Sequence, residues 1–189
     1  MEPQPPRRTT HAIGGPARLL VYDRWGRFGR PVLLLHGLLF DRTMWWPVAA
    51  ELAAATTCTV LAPDLPGHGD SPARKDHDPA KLAHDLAQLV HKLDLHRAPI
   101  VVGHAESAAL ATAFGARFAA HEVLTVDDLG DAHADIPEHF RPYATPRADP
   151  EVLTAYKSWP QQTPTWPHLA DPRAFAAGLQ ARLTTKGPA

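Results

Sequence analysis

Short apolar runs alternate along this chain with stretches whose apolar residues recur every three or four positions, the pattern of parallel strand–helix–strand units. Arg18 to Asp23 and Pro31 to His36 read as strands, then Trp45 to Ala53 as a helix and Cys58 to Ala62 as another strand. The helix that follows has the clearest period. Asp78 suits its N-cap and Pro79 its first turn, and Leu82, Leu86, Leu89, Val90 and Leu93 share one face. Pro99 to Gly103 predicts a short apolar strand, Ala105 to Phe118 a small-residue helix, and Glu122 to Val126 a last strand ending at Asp127 and Asp128. Beyond Asp131 the pattern changes. Nine of the final 58 residues are proline, and the two predicted helices each open on an Asp-Pro pair, Asp149-Pro150 and Asp171-Pro172. The pattern thus divides the chain into a polar, disordered tail over residues 1–14, an α/β core over 15–131, and a proline-rich helical lid over 132–189.

Composition narrows the partners. With 189 residues and 44% hydrophobic, the chain is long enough for one sizeable core. Nineteen basic residues against twenty acidic ones leave a net charge of −1 and no basic stripe, which argues against nucleic acid or an anionic membrane as partner. No run of 18 apolar residues appears and the N-terminus carries no signal-type apolar stretch, so the expected location is the cytoplasm. The single Cys58 excludes an internal disulfide and reads as a buried thiol. Nothing in the sequence calls for a cofactor or a metal.

Candidate chemistry lies in three loops that each follow a strand: His36-Gly37-Leu38-Leu39, Asp64-Leu65-Pro66-Gly67-His68-Gly69-Asp70-Ser71, and Gly103-His104-Ala105-Glu106-Ser107. The second could pass for a dinucleotide loop, but Pro72 stands where the third glycine belongs and no helix opens behind it. In order and spacing, residues 18–128 resemble the α/β-hydrolase family. The resemblance implies a mostly parallel sheet with helices on both faces. It also implies a nucleophile elbow at the third loop and an oxyanion site built from main-chain amides. Gly37 would let the chain turn so that the amide of Leu38 or Leu39 faces the developing oxyanion, and Glu106, next after the elbow, would offer the second amide.

The resemblance also exposes what is missing. Ala105 stands where the family carries its serine, and a methyl group cannot be a nucleophile. A register shifted by two residues would make Ser107 the nucleophile instead; in the unshifted register Ser107 is a small packing residue. The resemblance places His104 behind the crevice and leaves Glu106 either as a base or ligand contact or as a solvated first-turn acid. The family's acid after a sixth strand would fall on Asp127 or Asp128, with Asp128 favoured by alternation. Of His133, His139 and His168, the last is the one that could fold back as a base. The two strands that carry acid and histidine in most members have no counterpart, which reads as a truncated core. Trp45, Trp46, Trp159 and Trp166 either line a ligand pocket under the lid or pack the core. The expected ligand is a small-molecule or peptide-derived carbonyl compound. Two functions remain open: an esterase, lactonase or thioesterase-type hydrolase inactive as written, or a natural pseudoenzyme or non-hydrolytic catalyst. The strand at Glu122 to Val126 would end the sheet, so the lid segment or a second copy of the chain is expected to cover it.

Overall fold

A computed structural model describes residues 7–94 and 96–184. Six strands form one sheet in the order β1 (Thr9–Ile13), β2 (Leu20–Trp25), β4 (Cys58–Pro63), β3 (Arg30–Leu35), β5 (Ile100–Gly103), β6 (Glu122–Thr125). β1, β2 and β4 pair antiparallel, while β4, β3, β5 and β6 run parallel. The parallel strands are buried on both faces, which is why they read as unbroken apolar runs rather than alternating ones.

Chain direction decides where the helices go. β3 crosses to β4 on one side through α1 (Trp46–Ala55), and β4 returns past β3 to β5 through α2 (Pro79–Lys92). Right-handed crossovers in opposite directions put those helices on opposite faces. Accordingly Val32, Leu34, Val60, Ala62 and Val102 pack with α1, while Leu33, Leu35, Leu61 and Val101 pack with α2 and with α3 (Ala108–Arg117). The reversal leaves a topological switch point between β3 and β5, where ligands bind in open α/β sheets.

Two parts of the sequence pattern resolve differently. Residues 9–13, expected as tail, form β1; as an edge strand paired only with β2 and exposed along its length, Thr9–Ile13 shows no apolar period. Residues 1–6 of that tail lie outside the described residues. The segment after Asp131, expected as a lid, includes α4 (Pro150–Ala155), α5 (Pro167–Ala170) and α6 (Pro172–Thr184). Asp149 and Asp171 cap as their Asp-Pro pairs predict, accepting from the amides of Glu151 and Ala174. Yet α6 is a core helix rather than a lid, because Phe175, Ala176 and Leu179 are buried with Val48 and Leu52 of α1. α6 reaches β6 at its start, where Arg182 pairs with Glu122 and the Arg182 carbonyl meets the His121 ring. Among the described residues no strand pairs with the outer side of β6, and no helix is long and apolar enough to cross a membrane.

Candidate active site

The loops after β3 and β5 meet at the switch point. β5 ends at Gly103, His104 stays extended, and the chain then turns through Ala105 into a 3-10 turn, Ala105–Ser107, that leads into α3. Ala105 adopts φ 48°, a left-handed conformation that costs a non-glycine residue about 1–2 kcal/mol. The strained strand-to-helix elbow is therefore present, with a methyl group at its tip. Gly103 makes the turn tight enough. A Cβ there would lie 2.7 Å from the Ser107 carbonyl oxygen and 2.8 Å from the Ala108 backbone. Gly103→Ala is expected to lower stability by about 1–3 kcal/mol, read as the midpoint of urea unfolding; an unchanged midpoint would show the turn to be pliable.

The loop after β3 is held by two histidines. The His36 ring accepts the Leu65 amide at Nε2 (3.0 Å), so Nδ1 carries the proton and donates to the Gly37 carbonyl (2.9 Å). His68 Nε2 donates to the Leu38 carbonyl (2.8 Å). With the carbonyls on both sides of Leu38 fixed, its N–H faces the elbow. There the amide meets the Glu106 carboxylate, 3.2 Å away. Gly37 lies against Ala105 and His104: a Cβ on it would be 3.4 Å from the Ala105 methyl and 2.6 Å from His104 Nδ1. Leu39 takes a different part. Its carbonyl accepts the amides of Arg147 (2.8 Å) and Ala148 (3.2 Å), tying the C-terminal segment over the loop.

Beneath the second loop, Arg42 is buried among Asp64, Asp23 (3.3 Å) and Asp70 (2.6 Å). Burial opposes the Arg42 cation, but its carboxylate partners outweigh that and hold its pKa above the ordinary value. Asp64 also accepts the amides of Arg42 and Asp70, and a Cβ on Gly69 would collide with it at 2.2 Å. This loop is a strut held by the Arg42 cluster.

The other candidates are drawn elsewhere. Ser107 is fully buried and its hydroxyl donates to the His36 carbonyl (2.5 Å), so it ties the elbow to β3 and is not a nucleophile. Asp128, the expected acid, accepts the amide (2.6 Å) and hydroxyl (2.9 Å) of Thr125 with its carboxylate and caps the turn after β6. Asp127 is the acid that turns back, accepting from Thr165, whose carbonyl takes His104 Nε2 (2.9 Å). His168 is wholly buried between Trp45 (4.7 Å between ring centres) and His104 (5.2 Å), and neither of its ring nitrogens has a partner among the described residues. Burial pushes its pKa well below the usual imidazole value, and repulsion from His104 adds to that. His104 falls to about 4, again through burial, with the Thr165 bond and Asp127 pulling weakly upward. Trp45 and Trp159 are buried in the two cores, Trp166 meets Phe40 edge-on and lies tilted against His104, and Trp46 lies under Arg8 at an open groove with Phe140 and Tyr143, away from the elbow. No group of three or more metal-ligating side chains occurs among the described residues. The roles of His36 and His68 are not legible in the sequence; for His36, its place directly after an apolar strand is the available signal.

Residues 32–188 match the sequence model of the alpha/beta hydrolase family. A probable protein phosphatase methylesterase 1 of Caenorhabditis elegans is 43% identical over 53 residues, which are 28% of this chain and 15% of that protein. The chain thus spans well under two thirds of that curated relative. Among solved structures, the epoxide hydrolase CorEH shares the fold with a TM-score of 0.56 at 21% identity, over 94% of this chain and 74% of that one. A thermophilic esterase from Thermogutta terrifontis aligns with a TM-score of 0.51 at 28% identity, over 70% of this chain and 48% of the esterase.

Proposed function

This chain belongs to the alpha/beta hydrolase family, and we propose that it binds a small carbonyl compound in the family's crevice without cleaving it through a serine. The observation that carries this reading is Ala105 at φ 48°: the elbow keeps its strained geometry while lacking the hydroxyl that the strain would present. The surroundings agree with it. His104 and His168 are sealed in the core, Ser107 is committed to the His36 carbonyl, and Asp128 to its cap. What remains at the elbow is a main-chain donor, the Leu38 amide, which meets the Glu106 carboxylate and is suited to a carbonyl oxygen.

The test is Ala105→Ser assayed with p-nitrophenyl acetate. A positioned base contributes about 10²–10⁴-fold in such chemistry. The expected result is a rate within about tenfold of the parent protein, because His104 and His168 are buried in the core rather than placed to serve the crevice. A gain above about a hundredfold would overturn the reading. It would favour the second one, an ester, lactone or thioester hydrolase silenced only at position 105, a class that includes the esterase and the probable methylesterase to which the chain is similar.

A further inference from the structure

Glu106 is the group at the elbow that a vacated serine site does not explain. It is only 6% exposed, yet it meets no cation among the described residues. Its one hydrogen bond, from the Leu38 amide, is 3.2 Å long, whereas charge-assisted bonds run at about 2.7–2.9 Å. Its second oxygen, Oε1, accepts no hydrogen bond among the described residues and is not sealed from solvent. A carboxylate this far buried, with one long bond to the protein, gains from a further donor at Oε1. Beside it lies the Ala105 methyl, which is 7% exposed and offers neither a donor nor an acceptor. The site therefore holds one donor, the Leu38 N–H, and one under-satisfied acceptor, the Glu106 carboxylate, against each other beside a methyl group.

We propose that the ligand of this crevice is a carboxamide, open or cyclic, rather than an ester or an acid. Its carbonyl oxygen takes the Leu38 N–H, and its own N–H donates to the Glu106 carboxylate, which swings off the Leu38 amide as the ligand enters. Both halves of the site are then satisfied at once. An ester supplies the acceptor half alone and leaves Glu106 displaced without a donor. A carboxylate ligand brings a like charge against Glu106. Discrimination of this kind, where a polar group of the site is left unpaired by the wrong ligand, is stronger than discrimination by shape. No bond is made or broken. The proposal rests on the carbonyl-binding reading of the site and goes beyond it by naming the ligand class and making Glu106 its specificity determinant.

The experiment titrates the full chain with benzamide, methyl benzoate and benzoate by calorimetry, and repeats this with Glu106→Ala and the isosteric Glu106→Gln, each first shown to unfold cooperatively. In the parent protein benzamide is expected to bind about tenfold or more tighter than methyl benzoate, with benzoate weakest. Glu106→Ala is expected to bring benzamide and methyl benzoate within about threefold and to strengthen benzoate, since the Leu38 amide is then free and the opposing charge gone. Glu106→Gln, which keeps an acceptor oxygen without the charge, is expected to fall between. Methyl benzoate binding as well as benzamide to the parent protein, or a preference that survives Glu106→Ala, would overturn this inference and leave the carbonyl-binding reading standing. Failure of all three probes to bind both the parent and Glu106→Ala would overturn that reading itself.

Discussion

Acidified from pH 7 to pH 5, the protein is expected to lose a large part of its folding stability. The cause is three histidines that the fold holds neutral. His36, His104 and His168 are each wholly buried. Burial is the main force pushing all three pKa values down, with repulsion from His68 assisting at His36. In the unfolded chain the same rings titrate near pH 6.5. Below that pH the unfolded state takes up protons that the folded state refuses, so stability falls as pH falls. It is unaffected above about pH 7, where the rings are neutral in both states. Between pH 6 and 5 each ring that stays neutral adds up to one proton to the slope, about 1.4 kcal/mol per pH unit, while Asp64, whose pKa burial raises to about 6, offsets part of it by binding a proton in the folded state. Urea unfolding at a series of pH values reads this directly. His168→Leu supplies the control. Both ring nitrogens of His168 lack partners, so the variant is expected to equal or exceed the parent in stability at pH 7 and to shed about one proton of the acid slope. An acid slope unchanged in His168→Leu would show that other groups drive the loss.

Arg42→Met is expected to cost about 3–5 kcal/mol at neutral pH, although it replaces a charged side chain in the interior with an apolar one. The guanidinium bridges the strut loop to β2 by pairing with Asp64, Asp70 and Asp23. Asp64 and Asp23 are fully buried, whereas Asp70 reaches solvent. Asp23 keeps the Thr10 hydroxyl, the Trp46 indole N–H and the Arg8 guanidinium at 3.9 Å, whereas Asp64 keeps two backbone amides but loses the cation that faces it from within the fold. Pairing Arg42→Met with Asp64→Asn is expected to cost less than the two single changes added together, because the amide removes one of the stranded charges. Strict additivity in that cycle would mean that the pair contributes nothing beyond its separate contacts. Since Asp64 adjoins the His36–Leu65 hydrogen bond through the chain, loosening this loop also reaches the Leu38 amide.

The local pattern of the sequence determined a good deal about this protein. The buried parallel strands, the amphipathic period of α2 with its Asp78 cap, the three loops in register and the alanine at the elbow all follow from neighbours within a few residues. These features are legible because strand and helix periods repeat locally and turns demand particular residues. The edge strand β1 escaped notice because a solvent-exposed edge imposes no apolar period. The core helix α6 was misread because its weakly patterned surface is buried by α1, more than a hundred positions away in the chain. At the site the division is sharper still. Ala105 could be read directly, but only the tertiary structure decided that the carboxylate of Glu106 sits on the amide of Leu38, 68 residues distant. It likewise decided that Asp128 is consumed as a cap and that His168 is sealed against Trp45. A polar side chain takes whichever partner the folded chain brings within about 3 Å, and that choice depends on contacts between remote segments that no local period encodes.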